Sequence, residues 1–110
     1  MFSTQDKKRL LKLARDSISE VFLNIKAEIP TDEKFSQKQG VFVTLKKNNE
    51  LRGCIGFPEP VYPLNKAISI AAKAAAFEDY RFTPLSEKEL SKIMIEISVL
   101  TVPEGLKADN

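Results

Sequence analysis

The sequence predicts an α+β fold in which helices flank a mainly antiparallel sheet. Three observations support this: an amphipathic pattern near the N-terminus, two β-rich segments close enough to form a hairpin, and an alanine-rich segment before the last strand. A parallel, doubly wound sheet is disfavoured because the first two strands follow one another directly and no glycine-rich phosphate loop joins a strand to a helix. With 110 residues, the chain is expected to form one domain, residues 1–110.

The first predicted element is a helix over residues 4–27. Ser3 or Thr4 can cap its N-terminus, and Pro30 follows its end. Apolar side chains recur within it at helical spacing: Leu10, Leu11, Ala14, Ile18, Val21, Phe22 and Ile25. Five basic residues also lie on this helix: Lys7, Lys8, Arg9, Lys12 and Arg15. Such a cluster is typical of a solvated helix face, and it leaves RNA open as a partner.

A β-hairpin is predicted over residues 41–57. The run VFVTL is rich in β-branched and aromatic residues, and LRGCIGF forms the second strand after a turn, KKNNE, whose asparagines tolerate positive φ. Regular alternation would place Arg52, Cys54 and Gly56 on one face of the second strand. The two glycines of this strand predict a bulge, or a close approach by a ligand or another segment.

The remaining elements are an alanine-rich helix over residues 64–79, a short helix over 86–91 and a strand over 93–101. The alanines predict that the long helix packs closely on the sheet, and Ser86 with Glu89 forms the capping box of the short one. Alternating aliphatic residues give the last strand one apolar face. Three strands leave two sheet edges, so we expect either further strands in the loops or a homo-oligomer formed through an exposed edge.

The composition excludes several kinds of site. The chain has no histidine and one cysteine, which rules out zinc sites built from Cys and His within one chain, and also Ser-His-Asp and Cys-His catalysis. The common glycine-rich phosphate-binding motifs are missing. No metal and no cofactor are therefore expected. The lone cysteine, the polar start MFSTQDKKRL and the lack of a long apolar run predict a cytoplasmic protein that does not enter a membrane.

Arg52 and Cys54 are the candidate catalytic residues. On a regular strand their side chains would lie roughly 6–7 Å apart, near enough for the guanidinium to favour a nucleophilic thiolate. The alternative is a buried cysteine that packs as a small hydrophobe. A buried Arg52 needs a carboxylate partner, and the candidates are Glu78, Asp79 and Glu96.

Five further residues are candidates for ligand binding: Gly53, Gly56, Glu78, Asp79 and Arg81. The glycines would let a ligand approach the backbone. The two carboxylates would bind Arg52, Arg81 or a ligand cation, although two carboxylates directly after a helix are also typical of a solvated helix end. The expected partner is a small anionic ligand held by arginine, or a partner protein.

Several motifs stand in one order: LRGCIG at Leu51–Gly56, an alanine-rich segment at Ala67–Ala76, a D-x-R-F-x-P element at Asp79–Pro84, and SVLT at Ser98–Thr101. Over residues 40–103 the chain resembles the AMMECR family, whose hallmark is LRGCIG. It departs from the family pattern at Tyr80, where proline is usual. Family domains continue beyond SVLT into a glycine-rich segment and a hydrophobic helix, so the chain resembles the N-terminal part of such a domain.

The resemblance implies an α+β domain with helices flanking an antiparallel sheet, but no settled activity. Family members occur with Memo-like and radical S-adenosylmethionine domains, which implies a shared pathway, such as the modification of RNA or protein. We therefore expect a small-ligand or modification-related site around Arg52 and Cys54, and whether the chain is an enzyme is open. The alternatives are a non-catalytic module that binds protein or RNA, and a folded remnant without activity.

Overall fold

The computed structural model describes residues 2–100, which form a three-stranded antiparallel sheet and two main helices. The elements in chain order are α1 (Thr4–Ser19), β1 (Gly40–Lys47), β2 (Glu50–Phe57), α2 (Leu64–Phe77) and β3 (Ile93–Leu100), with 3-10 turns at Glu33–Phe35 and Glu87–Lys92. The strand order is β2-β1-β3, so β1 is central and the other two strands form the outer edges. The predicted α+β fold with a mainly antiparallel sheet is confirmed.

The hairpin predicted over residues 41–57 is confirmed, and its turn has the predicted chemistry. Asn48 and Asn49 adopt positive φ angles of 54° and 64°. Asparagine accepts this left-handed backbone more readily than most residues, and two such residues in succession match the right-handed twist of the strands that they connect. β1 and β2 then pair from Lys47 with Glu50 to Val41 with Phe57.

The helices pack on one face of the sheet. Val41, Val43 and Leu45 alternate along β1 and are fully buried. Five alanines of α2 are buried as well: Ala67, Ala71, Ala72, Ala75 and Ala76. Gly53 of β2 makes this contact possible, because a side-chain carbon there would lie 2.1 Å from the carbonyl oxygen of Ala75. The close approach of the alanine-rich helix to the sheet is confirmed.

The prediction that the first helix runs to residue 27 is wrong, because α1 ends at Ser19. The Glu20 carboxylate accepts a hydrogen bond from the backbone N–H of Ala27 at 2.9 Å and forms an ion pair with Lys73 of α2. In a continuous helix Glu20 and Ala27 would lie roughly 10 Å apart along the axis. These tertiary contacts turn the chain away from the helix axis and leave part of the predicted apolar face exposed, at Val21 and Ile25.

The other face of the sheet stays largely open within the described residues. Alternation places on it the residues of β1 that lie between the buried ones, and these are only half-buried. We call this surface the uncovered face; it includes Phe42, Thr44, Lys46, Cys54, Met94, Glu96 and Ser98. β3 is described as far as Leu100, and Thr101, the last residue of the predicted strand, lies outside the described residues.

Candidate functional site

The LRGCIG strand, Leu51–Gly56 within β2, contains a β-bulge at its arginine. β1 pairs regularly with β2 as far as Leu45 with Gly53, and the pairing then skips one residue of β2. The skipped residue is Arg52, which has no partner on β1. A bulge of this kind interrupts the alternation of faces along a strand. The bulge that the glycines predicted is confirmed.

Arg52 binds a carboxylate within the protein. Its Nε and Nη2 donate to the two oxygens of Glu89 at 2.9 and 3.0 Å, and Lys47 Nζ donates to the same carboxylate at 2.9 Å. The Arg52 side chain is 12% exposed, and its guanidinium lies 6.0 Å from the centre of the Phe82 ring. Its Nη1 is buried without a hydrogen-bond partner among the described residues. The charge of Arg52 is therefore neutralised internally.

Glu89 also forms the capping box with Ser86 that the sequence predicted. Its carboxylate accepts a hydrogen bond from the backbone N–H of Ser86 at 3.0 Å. The short helix predicted over 86–91 is present as the 3-10 turn Glu87–Lys92. Because this turn leads directly into β3, it carries Glu89 to the end of the sheet where Arg52 lies.

The prediction that Arg52 pairs with Glu78, Asp79 or Glu96 is wrong. Each lies elsewhere: Asp79 pairs with Arg81, Glu96 with Lys46, and Glu78 is exposed at the end of α2. The expectation failed because it assumed regular alternation, under which Arg52 would follow Cys54 on one face. The bulge takes Arg52 out of this alternation, and its guanidinium binds Glu89 in the turn before β3.

Cys54 is separated from Arg52, although the sequence predicted that they share a face. The Cys54 thiol lies 3.2 Å from Oγ1 of Thr44, the residue opposite it on β1. Both side chains belong to the uncovered face, and Cys54 is half-buried there. Arg52 binds Glu89 instead, so its charge is already paired within the protein.

The backbone of Cys54 is held from outside the sheet. Asp79 Oδ2 accepts a hydrogen bond from the Cys54 N–H at 3.0 Å, and Arg81 Nη2 donates a longer one, 3.4 Å, to the Cys54 carbonyl. Asp79 and Arg81 bind each other at 2.7 and 3.0 Å. In an antiparallel pair the N–H and C=O of one residue point the same way. The two side chains, which we call the Asp79–Arg81 clamp, therefore occupy the place of a neighbouring strand at Cys54.

The carboxylates of this region are ionised and poor bases. Hydrogen bonds from Arg81 hold the pKa of Asp79 well below its ordinary value of 3.8, against the opposing effect of burial, and the Cys54 N–H lowers it further. Hydrogen bonds from Arg52 hold the pKa of Glu89 well below its ordinary value of 4.5. A general base works best with a pKa near the operating pH. Neither carboxylate meets this requirement near neutral pH.

Both glycines of the hexapeptide are closed off by the chain itself. A side-chain carbon at Gly53 would meet Ala75, and one at Gly56 would lie 2.2 Å from the carbonyl oxygen of Val41 and 2.5 Å from the ring of Phe42. The close approach predicted at these positions is thus made by another segment and by a cross-strand side chain. Ligand binding at the two glycines stays a prediction.

The structure brings together only part of the predicted set. Cys54, Asp79 and Arg81 contact one another, whereas Arg52 pairs with Glu89. The guanidiniums of Arg52 and Arg81 lie 6.0 and 5.5 Å from the centre of the same Phe82 ring. The contact of Thr44 with the Cys54 thiol was not predicted, because counting residues from the hairpin turn places Thr44 opposite Gly53. Only the bulge moves it opposite Cys54.

Two surface cavities lie away from the LRGCIG strand. One, of about 430 Å³, runs between α1 and β3, and the other, of about 350 Å³, lies beside α1 and residues 28–32. Within residues 2–100, no three metal-binding side chains come together. The helices in the same part of the chain are too short or too polar to cross a membrane.

A protein-family comparison matches residues 11–110 to AMMECR1. A protein of Methanothermobacter thermautotrophicus is 46% identical over 111 residues, covering 98% of this chain and 58% of that protein. One of Methanopyrus kandleri is 48% identical over 106 residues, covering 92% and 51% respectively. This chain thus spans about half the length of the curated relatives it matches.

A solved structure is similar as well. The crystal structure of an uncharacterized protein from Pyrococcus horikoshii superposes on this chain with a TM-score of 0.77 and 44% sequence identity. The match covers 86% of this chain and 51% of that one. The likeness therefore extends over most of the fold described above.

Proposed function

The chain belongs to the AMMECR1 family, and we propose that its LRGCIG strand presents a thiol-bearing site for a small anionic group. The observation that supports this is the isolation of the Cys54 thiol from the ion pairs around it. The thiol contacts one neutral hydroxyl, that of Thr44, and it is half-buried on the uncovered face. The other functional side chains of the region are engaged in ion pairs.

Arg81, rather than Arg52, is the cation that would attract the anionic group. Its side chain is 46% exposed, and its guanidinium lies within hydrogen-bond reach of the Cys54 carbonyl. Hydrogen bonds to Asp79 raise the pKa of Arg81 above its ordinary value, burial opposes this, and Cys54 contributes a smaller Coulombic effect in the raising direction. An exposed guanidinium at the backbone of the thiol-bearing residue suits the binding of a carboxylate or phosphate group.

In this proposal the site binds a ligand, and neither Asp79 nor Glu89 serves as its general base. The chain has no histidine, and Asp79 and Glu89 stay ionised. In this proposal Cys54 alone keeps the catalytic role predicted from the sequence, as a candidate nucleophile, and Arg52 becomes a positioning residue that fixes the strand. A place beside Memo-like and radical S-adenosylmethionine proteins, and a cytoplasmic location, stay predictions.

The test compares two alkylating reagents of similar size, anionic iodoacetate and neutral iodoacetamide. The ratio of their rates at Cys54 reports the local positive charge and does not depend on the fraction of thiolate, which is common to both. We expect Arg81→Ala to lower this ratio about two- to fivefold, the range typical of a partly exposed charge.

Arg9→Ala is the matched control, because it removes an arginine of similar exposure whose ion pair, with Asp32, involves no residue of β2. It should change the ratio much less. An unchanged ratio in Arg81→Ala would contradict the proposal, and so would a thiol that reacts only after denaturation.

A second candidate function is a module that binds protein or RNA. The RNA candidate loses support because Arg9 pairs with Asp32, Lys12 with Asp16, and Arg15 with backbone carbonyls. The protein candidate gains support from exposed apolar side chains on β3. Salt-dependent binding to a single-stranded RNA separates the two, because RNA binding would weaken steeply with added salt.

A further inference from the structure

Phe82 of the D-x-R-F-x-P element lies beside both arginines of the LRGCIG region. Its side chain is half-buried, yet within residues 2–100 it does not belong to the hydrophobic residues that form the core or pack against it. The guanidiniums of Arg81 and Arg52 lie over its ring, 5.5 and 6.0 Å from the centre. Both distances are within the range of a cation–π attraction. The contacts that distinguish this ring are therefore with cations.

The backbone around Phe82 is fixed by short-range hydrogen bonds. The Phe82 N–H donates to the Asp79 carbonyl at 3.0 Å, and the Arg81 N–H donates to the Asp79 carboxylate at 3.2 Å. The N–H of Leu85, a buried residue, donates to the carbonyl of Ala76 in α2 at 2.8 Å. These bonds tie the turn to the end of α2, so the backbone positions that carry the Arg81 and Phe82 side chains are set.

Arg52 approaches the ring from a different part of the chain and is itself held firmly. Glu89 binds its Nε and Nη2, and the same carboxylate accepts hydrogen bonds from Lys47 and from the backbone of Ser86. The side chains of Arg52 and Glu89 are both largely buried. Because several donors converge on one carboxylate, the Arg52 guanidinium has little freedom to move. It therefore forms a fixed support for the ring of Phe82.

Arg81 is held less firmly than Arg52. Its side chain is 46% exposed; it binds Asp79, two residues away, and reaches the Cys54 carbonyl only at 3.4 Å. Water competes for an exposed guanidinium, and an anionic ligand would compete with Asp79 for its N–H groups. An aromatic ring attracts the face of a guanidinium and uses none of those N–H groups. Such a contact orients Arg81 without blocking a ligand.

We propose that Phe82 is a positioning residue of the thiol site and that its ring holds the Arg81 guanidinium beside the Cys54 carbonyl. The inference rests on the proposed function, because it concerns the cation of that site. It joins the two ion pairs into one unit: Glu89 fixes Arg52, Arg52 supports the ring, and the ring orients the guanidinium that a ligand would meet. Loss of the ring leaves every charge in place and lets the Arg81 side chain move away from Cys54.

Nuclear magnetic resonance tests the contact independently of the thiol. The ring current of an aromatic side chain shifts the resonances of protons close to its face. We expect the Nε–H resonances of both Arg52 and Arg81 to move in Phe82→Leu. The control is the Nε–H resonance of Arg9, which lies over the ring of Phe35 and should stay in place. If the resonance of Arg52 or of Arg81 does not move, the ring does not join the two ion pairs and the inference is overturned.

The ratio of the iodoacetate and iodoacetamide rates at Cys54 tests the positioning. Phe82→Leu changes no charge, so a change in fold stability alone would alter both rates together. We expect Phe82→Leu to lower the ratio about twofold, the factor that corresponds to a cation–π contact at an exposed site. In a chain that already carries Arg81→Ala, it should have no further effect. Phe82→Tyr keeps an aromatic face and should keep the ratio of the unmodified chain.

Phe57→Leu is the matched control, because it removes another half-buried ring, one that lies on β2 and packs on Tyr62. It should leave the ratio unchanged. An equal fall in Phe57→Leu or in Phe82→Tyr overturns the inference, and so does a further fall when Phe82→Leu is added to Arg81→Ala.

Two outcomes separate this inference from the proposed function. A ratio that falls in Arg81→Ala and stays unchanged in Phe82→Leu overturns the inference and leaves the proposed function intact. A ratio that stays unchanged in Arg81→Ala contradicts the proposed function, and the resonances of the two arginines alone then decide whether Phe82 holds Arg81.

Discussion

The two outer strands of the sheet end in different ways. β2 is closed by its own chain, since the Asp79–Arg81 clamp holds Cys54 and α2 packs directly on Gly53. β3 is closed only at Ile93, and the rest of its edge has no partner among the described residues. A pair of oppositely charged side chains can thus replace a neighbouring strand at one residue. Where nothing replaces the strand, the backbone groups of the edge stay open to pairing with another strand.

This difference changes the interpretation of LRGCIG. Arg52 anchors the strand to Glu89, Gly53 admits α2, and Gly56 lies beneath Phe42. These residues build a closed edge. The thiol of Cys54 takes no part in an ion pair or in this packing, which is why the proposed site is centred on it.

The largest effect is expected from Gly53→Ala, which would break the closed edge. The added methyl carbon would lie 2.1 Å from the backbone oxygen of Ala75, and backbone moves less readily than a side chain. Overpacking of this kind costs about 1–3 kcal/mol or more, and we expect at least the upper value. Urea denaturation followed by circular dichroism measures it.

Leu51→Ala is the control for Gly53→Ala. It changes the same strand at a side chain that is 43% exposed, so the free energy of unfolding should change by less than about 1 kcal/mol. Equal stability of Gly53→Ala and the unmodified chain would show that α2 does not press on β2.

The second prediction compares how much stability is lost when a charge is removed from the closed edge, at Asp79, and from the open strand, at Glu96. Asp79→Asn removes the charge that binds Arg81 and weakens the acceptor of the Cys54 N–H, so we expect a loss of about 2 kcal/mol. Glu96→Gln breaks an exposed ion pair with Lys46 and should cost about 0.5 kcal/mol or less. Urea denaturation of both variants checks the difference. Similar losses would mean that the clamp is an ordinary surface ion pair.

The third effect depends on pH. The pKa values of Asp79 and Glu89 lie below their ordinary values in the folded state, so the unfolded state takes up protons first as the pH falls. Their stabilisation is therefore complete above about pH 5 and is lost on acidification below it, with a slope of up to about 1.4 kcal/mol per pH unit for each group. Urea denaturation at a series of pH values measures the slope.

Asp79→Asn should reduce this slope, because it removes one of the two titrating groups. Asp6 contributes to the background in the same range, since a hydrogen bond from Lys34 lowers its pKa to about 2. The difference between the variant and the unmodified chain cancels that background. Identical slopes would contradict the assignment of the acid sensitivity to the clamp.

Local sequence patterns were sufficient to predict most elements of the fold. The asparagine turn, the β-branched runs and the alanine-rich helix each came from a few neighbouring residues, and each was found where expected. The end of α1 was not predictable in this way, because the contact of Glu20 with Lys73 joins residues that are far apart in the chain. Helical periodicity continues through this segment, whereas the helix does not.

The sequence by itself determined the class of fold, the hairpin and the presence of a lone thiol on its second strand. The tertiary structure decided which charge accompanies that thiol. One bulge removes Arg52 from the alternation that would have placed it on the same face as Cys54, because side chains on a strand alternate with a period of two and a single extra residue breaks that pattern. The partners then come from distant parts of the chain, Glu89 for one arginine and Asp79 for the other. Only the packing of α2 and β3 against the hairpin brings them there.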